Sequence, residues 1–178
     1  MRKTLILLAI SILTIGSIYA LVLYTKLNSF SFAWALNFLL MFSVVIFTGA
    51  LKSQLASSYF NQKHWERKGK FYERLGINYF RKVLVWIGWE RLIRKSNPIE
   101  KNIKTLTNLH YQTKKSELDH LIILIIVAGF NVLVAFKFGI VESLWLLLLN
   151  ILLNLYPIFL QRYNRPRIER AINIGSRR

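Results

Sequence analysis

The chain has 178 residues, no cysteine and a formal net charge of +17, with 54% hydrophobic residues and a mean hydropathy of +0.36. That apolar fraction is high for a soluble domain. The lack of cysteine excludes a disulfide framework, a thiol-rich metal site and a cysteine nucleophile. Apolar residues gather in four blocks instead of recurring at helix or strand period around one core, which points to a polytopic membrane protein.

The first block is Thr4–Thr25 and follows Arg2 and Lys3. Ser17-Ile18-Tyr19-Ala20 is a tolerable signal-cleavage neighbourhood, but the apolar run continues through Leu21–Tyr24, which favours a retained span. The second block is Phe30–Leu51, the third Leu121–Phe138 and the fourth Ile140–Leu160. Each approaches the ~20 residues needed to cross ~30 Å of hydrocarbon. We read the chain as all-α, with about four transmembrane helices and a basic cytoplasmic loop that contains interfacial amphipathic helices. The expected divisions are residues 1–51, 52–120, 121–160 and 161–178.

Orientation follows from lysine and arginine. Lys52–His120 holds fifteen of them against six acidic residues, and the segment from Gln161 holds six against one. The two short turns carry only Lys26, and Lys137 with Glu142. If all four blocks span, both termini and the loop face the cytoplasm. Within the loop, Phe71–Lys95 carries Tyr72, Leu75, Tyr79, Val83, Trp86, Trp89 and Ile93 at spacings of three and four. Arg74, Arg81, Lys82, Arg91, Arg94 and Lys95 lie mostly off that stripe. This predicts an amphipathic helix in the headgroup zone, with Gly76 and Gly88 as points of interruption and Pro98 as its end. Ile99–His120 reads as a further amphipathic helix leading into the third span. Aromatics beside apolar blocks suit interface anchoring better than base stacking, so nucleic acid is not an expected partner; membrane lipids are.

There is no Gly-rich phosphate loop, no His-Glu-x-x-His, no Gly-x-Ser-x-Gly and no His-x-x-x-x-Asp. Three histidines are too few for a multi-histidine iron site, and the single Glu117-x-x-His120 lacks the second copy that a di-iron bundle needs. No metal or cofactor is expected. Glu117 and His120 share one helix face where a polar stretch becomes a span. An imidazole there can take a proton from a substrate hydroxyl while a carboxylate orients it; Asp119 points elsewhere on the helix. In the fourth block Asn150, Asn154 and Gln161 form a stripe of amides, which in hydrocarbon face other helices or a polar cavity. Asn37 and Asn131 are candidate partners. Pro157 frees a backbone carbonyl and is expected to kink the helix. Gln161-Arg162-Tyr163-Asn164-Arg165-Pro166-Arg167 follows, three arginines beside a proline-restricted turn, suited to a phosphate or carboxylate.

At these residues the sequence resembles the glycosyl-4,4'-diaponeurosporenoate acyltransferases, small bacterial membrane enzymes of carotenoid pigment synthesis. The strongest match is Asn154-Leu155-Tyr156-Pro157 with Gln161–Arg167. Thr113-Lys114-Lys115-Ser116-Glu117-Leu118-Asp119-His120 is similar to the family's approach to its helical hairpin, and Glu66-x-x-Gly69-Lys70-Phe71-Tyr72 is a third match. The resemblance covers roughly residues 59–170. It implies transfer of a fatty acyl group from a thioester, acyl-CoA or an acyl-carrier protein, to a sugar hydroxyl of a lipid-linked acceptor. His120 and Glu117 become the catalytic candidates. Asn150, Asn154, Gln161, Arg162, Asn164, Arg165, Arg167, Glu66 and Lys70 become the substrate-binding candidates. It also implies a bacterial cytoplasmic membrane. This chain departs from the family in having two clear spans before the loop and a more apolar, Trp-rich Val83–Ile93. The rival class is a non-enzymatic membrane protein, such as an assembly factor or a lipid-binding or transporter subunit.

Overall fold

A computed structural model describes residues 2–88 and 102–176. All regular structure among these residues is helical. Four stretches are long and apolar enough to cross a membrane: α1 (Arg2–Tyr24), α2 (Phe30–Leu51), α5 (Ile103–Phe138) and the run Val141–Gly175. The chain divides into two compact units, an apolar one of Met1–Gln54 with Leu118–Pro157 and a basic one of Leu55–Glu117 with Ile158–Arg178.

In the apolar unit, Ser29 caps α2 by accepting a hydrogen bond from the Phe32 amide at 3.1 Å. Phe32, Leu36, Leu40 and Val44 are buried at four-residue spacing, one stripe of α2. They form a core with Ile123, Val127 and Val134 of α5 and Leu146 of α6 (Leu144–Asn150). α1 buries no residue completely and leaves Leu5, Ile12, Leu13 and Leu23 at least 60% exposed. Such an apolar exterior suits hydrocarbon rather than water. At one end the two short turns are joined by Asn28, whose Nδ2 donates to Glu142 Oε2 at 2.8 Å. The Asn131 amide donates to the Ser143 carbonyl at 2.7 Å, so it serves this hairpin and not the amide stripe.

The last long run is not uniform. α6 passes into a π-helical stretch, Ile151–Leu155, before α7 (Tyr156–Gly175). Pro157 explains this in part. It has no N–H to give the carbonyl four residues back, and the helix widens here. Pro166 departs from expectation. It lies inside α7, so Gln161–Arg167 is helix and not a turn, and the helix continues to Gly175. α5 likewise runs unbroken for 36 residues, joining the polar segment to the apolar one.

In the basic unit, two 3₁₀ turns, Ser58–Phe60 and His64–Gly69, precede α3 (Lys70–Arg74) and α4 (Ile77–Trp86). The helix expected from Phe71 is therefore broken: Gly76 takes φ +82 between α3 and α4. Gly88 also sits at positive φ, beyond the end of α4. The break divides the aromatic stripe. Tyr72 is buried, whereas Tyr79, Val83 and Trp86 are exposed. Trp89, Arg91, Ile93, Arg94, Lys95, Pro98 and Ile99 lie outside the described residues.

Candidate active site

Each unit holds a buried polar cluster. In the basic unit four charges alternate: Glu66, Arg162, Glu117 and Arg165. Arg162 donates from Nε to Glu117 Oε1 at 2.6 Å, from Nη1 to Glu66 Oε1 at 2.7 Å and from Nη2 to the Tyr59 carbonyl at 3.1 Å. Its guanidinium also lies 4.7 Å from the centre of the Tyr59 ring. Arg165 donates from Nη2 to Glu117 Oε2, from Nη1 to the Phe60 carbonyl at 2.8 Å and from Nε to Thr113 Oγ1 at 3.3 Å. The 3₁₀ turn at Ser58–Phe60 thus supplies both carbonyls, and one helix turn of α7 supplies both arginines. The cluster is neutral as a set, which makes its burial tolerable: an unpaired charge there would be costly, a fully bonded chain is not.

Glu66 reaches this chain through its own turn. Its carboxylate accepts from the Lys63 amide at 2.8 Å and from the Tyr72 hydroxyl at 2.6 Å. Burial alone would raise the Glu66 carboxyl, but the bonds from Tyr72, Lys63 and Arg162 prevail and hold it below the ordinary carboxylate range. Burial pushes the Tyr72 hydroxyl up, and its bond to Glu66 adds to the shift. A depressed folded-state carboxyl stabilises the unit above the unfolded carboxylate pKa, and the contribution is lost as pH falls through the folded value. Hydrogen exchange of the amides of residues 63–72, corrected for intrinsic rate, should therefore lose protection on acidification. Glu66→Gln should flatten that dependence.

Arg67, Lys68 and Gly69 then turn in the left-handed region at φ +47, +56 and +93. Two non-glycine residues there cost about 1–2 kcal/mol each. Gly69 meets α7 so closely that an added Cβ would stand 3.1 Å from Arg167 Nη1 and 3.3 Å from the Tyr163 carbonyl. Arg167 stacks 3.6 Å from the Tyr163 ring centre and pairs with Glu73 at 3.2 Å. Glu66, Gly69 and Tyr72 of the third sequence match are thus all accounted for by packing and bonding. Lys70 is exposed in the first turn of α3; Gln161 and Asn164 are partly buried on α7. His110 meets Glu169 at 3.0 Å.

The second cluster lies in the apolar unit. Asn154 is fully buried within the π stretch; Asn37 and Asn150 are nearly so. Asn154 Nδ2 donates to Asn37 Oδ1 at 2.7 Å and to Asn150 Oδ1 at 2.8 Å. Asn154 Oδ1 faces His120 Nδ1 at 3.4 Å. Asp119 is buried and accepts from Thr48 Oγ1 of α2 at 2.6 Å.

This geometry redistributes the roles read from spacing. Glu117 spends both oxygens on Arg162 and Arg165, while the amide oxygen of Asn154 addresses His120. Arg162 and Arg165 are bound to carboxylates and carbonyls, so they act first as supports. Tyr59, Tyr72, Thr113 and Thr48 were not anticipated. The clues were that Tyr72 shares a matched motif with Glu66 and Thr113 shares one with Glu117. Among the described residues no group of three or more His, Asp or Glu is placed to hold a metal.

The model of one protein family, glycosyl-4,4'-diaponeurosporenoate acyltransferase, matches residues 56–174. No curated protein matches the chain, and no solved structure does.

Proposed function

The chain belongs to the glycosyl-4,4'-diaponeurosporenoate acyltransferase family and is an acyltransferase of a carotenoid pathway; we propose that its acceptor is a sugar hydroxyl of a membrane glycolipid. The donor in this reading is a fatty acyl thioester, on CoA or an acyl-carrier protein. His120 takes the proton of the acceptor hydroxyl as its oxygen attacks the thioester carbonyl. The tetrahedral intermediate then expels the thiolate, which recovers a proton from the imidazolium. The observation that carries this assignment is the imidazole's setting: Asn154 Oδ1 faces its Nδ1 at 3.4 Å, and an acceptor oxygen there suits a ring that must hold an extra proton.

The basic unit serves the reaction by support and attraction. Its closed Glu66–Arg162–Glu117–Arg165 chain fixes the 3₁₀ turn and α3 on α7. Arg67, Lys68, Lys70, Arg74, Arg81 and Lys82 remain exposed. They give anionic lipid headgroups, and the phosphates of a thioester donor, a cationic surface. Trp86 (87% exposed) and Tyr79 (76%) of α4 would enter the headgroup zone beside Arg81 and Lys82. Thioester donors are cytosolic, so this face belongs on the cytoplasmic side of a bacterial membrane, as the lysine and arginine asymmetry also argues.

Lipid mass profiling tests the reading. Cells that supply a glycosylated carotenoid acid should gain a product heavier by one fatty acyl group when the chain is expressed. They should not gain it with His120→Ala at equal membrane abundance. Unchanged lipids with a well-inserted wild-type chain would exclude this acceptor.

A further inference from the structure

The amides of the apolar unit say more than that polar groups are paired. The two ends of an asparagine side chain look alike, but a backbone carbonyl can only accept. Asn37 approaches the Ala33 carbonyl at 2.8 Å, so that end is its NH₂ and the other end is oxygen. Asn150 approaches the Leu124 carbonyl at 3.0 Å, and the same reasoning fixes it. Both remaining oxygens point at one end of Asn154, at 2.7 and 2.8 Å. That end must be the Asn154 NH₂, with both its hydrogens used. The other end, 3.4 Å from His120 Nδ1, must therefore be oxygen.

We infer that Asn37, Asn150 and Asn154 are positioning residues that hold the proton of neutral His120 on Nδ1 and leave Nε2 as the basic nitrogen. Turning the Asn154 amide over would set its oxygen against two oxygens and its NH₂ against Nδ1, breaking three contacts at once where water is scarce. The π stretch contributes by carrying Asn154. Asp119, the residue before His120 on α5, is buried and accepts from Thr48 Oγ1. Asn37 lies on α2, outside the family-matched residues 56–174, so part of the orientation of this histidine comes from a helix beyond the matched region.

The inference rests on His120 as the base, and the two can fail separately. The test is nitrogen NMR of the ¹⁵N-histidine-labelled full chain in lipid bilayers, with His120 assigned by its loss in His120→Gln. The expected wild-type signal is a protonated Nδ1 and a bare Nε2 in the neutral ring; a protonated Nε2 would overturn the inference without any variant. Asn37→Leu frees one of the two Asn154 hydrogens. It should yield a mixture of tautomers and lower kcat by about 10–100-fold with little change in KM. Asn150→Leu supplies the same measurement should Asn37→Leu fail to insert. A single unchanged tautomer in either inserted variant would also overturn the inference. Full turnover in His120→Ala, with the wild-type tautomer as expected, would refute the base assignment and leave the amide arrangement standing.

Discussion

Glu117→Ala should destabilise the basic unit by about 3–5 kcal/mol, a large share of the ~5–15 kcal/mol that holds a typical domain. Glu117 is fully buried, and each of its oxygens takes one arginine. Among the described residues, truncation leaves Arg162 with Glu66 as its carboxylate and Arg165 with none, inside a cluster where solvent cannot replace the loss. The turn at Ser58–Phe60 is tied to the same arginines by its carbonyls, so it should loosen with them. Glu117→Gln keeps the shape and one of the two acceptors but removes the charge and turns an NH₂ toward one arginine, and should lie between. Protease cutting of the unit in bilayers, followed against denaturant, would measure the order wild type, Gln, Ala. A Glu117→Ala chain as resistant as wild type would show that the chain of charges contributes little to the fold.

That expectation differs from what spacing suggests, and the difference is physical. Glu117 and His120 at three-residue spacing on one helix invite pairing, because sequence shows only neighbours along the helix. The partner Glu117 takes, Arg162, lies 45 residues away, and the second carboxylate on Arg162 lies 96 away. No periodicity reports contacts of that separation. The spans, by contrast, were legible, since a run of about 20 apolar residues has one use in water and another in lipid. Their extensions were not: α5 and α7 continue as helix where composition turns polar, and hydropathy stops reporting there. Pro166 misleads for a related reason. Its ring is disfavoured inside a helix, yet α7 continues through it with the nearby Tyr163 and Arg165 buried. The amide stripe was readable because Asn150 and Asn154 keep helical spacing and hydrocarbon leaves an amide few options. Asn37 was a candidate partner on the same ground. What spacing could not give was direction, which end of each amide faces which neighbour, and that is what bears on His120.

His120→Ala should lower acyl transfer by about 10²–10⁴-fold, the usual weight of a positioned general base, while insertion and protease resistance stay near wild type. Stability should hold because the ring contributes one long bond to Asn154, at 3.4 Å, in a cluster whose other amide contacts persist without it. The drop should appear in kcat, since nothing in the change alters the apolar surface or the exposed cations that gather substrate. His110→Gln is the matched control. His110 meets Glu169 in the basic unit, so its loss removes an imidazole without touching the proposed chemistry. If both variants transfer acyl groups within about tenfold of wild type, a smaller loss than removal of a general base gives, the base lies elsewhere. If only His120→Ala fails, and does so with intact insertion, the rate deficit belongs to the proton transfer. The apolar unit then supplies the chemistry, and the basic unit supplies the surface and the scaffold.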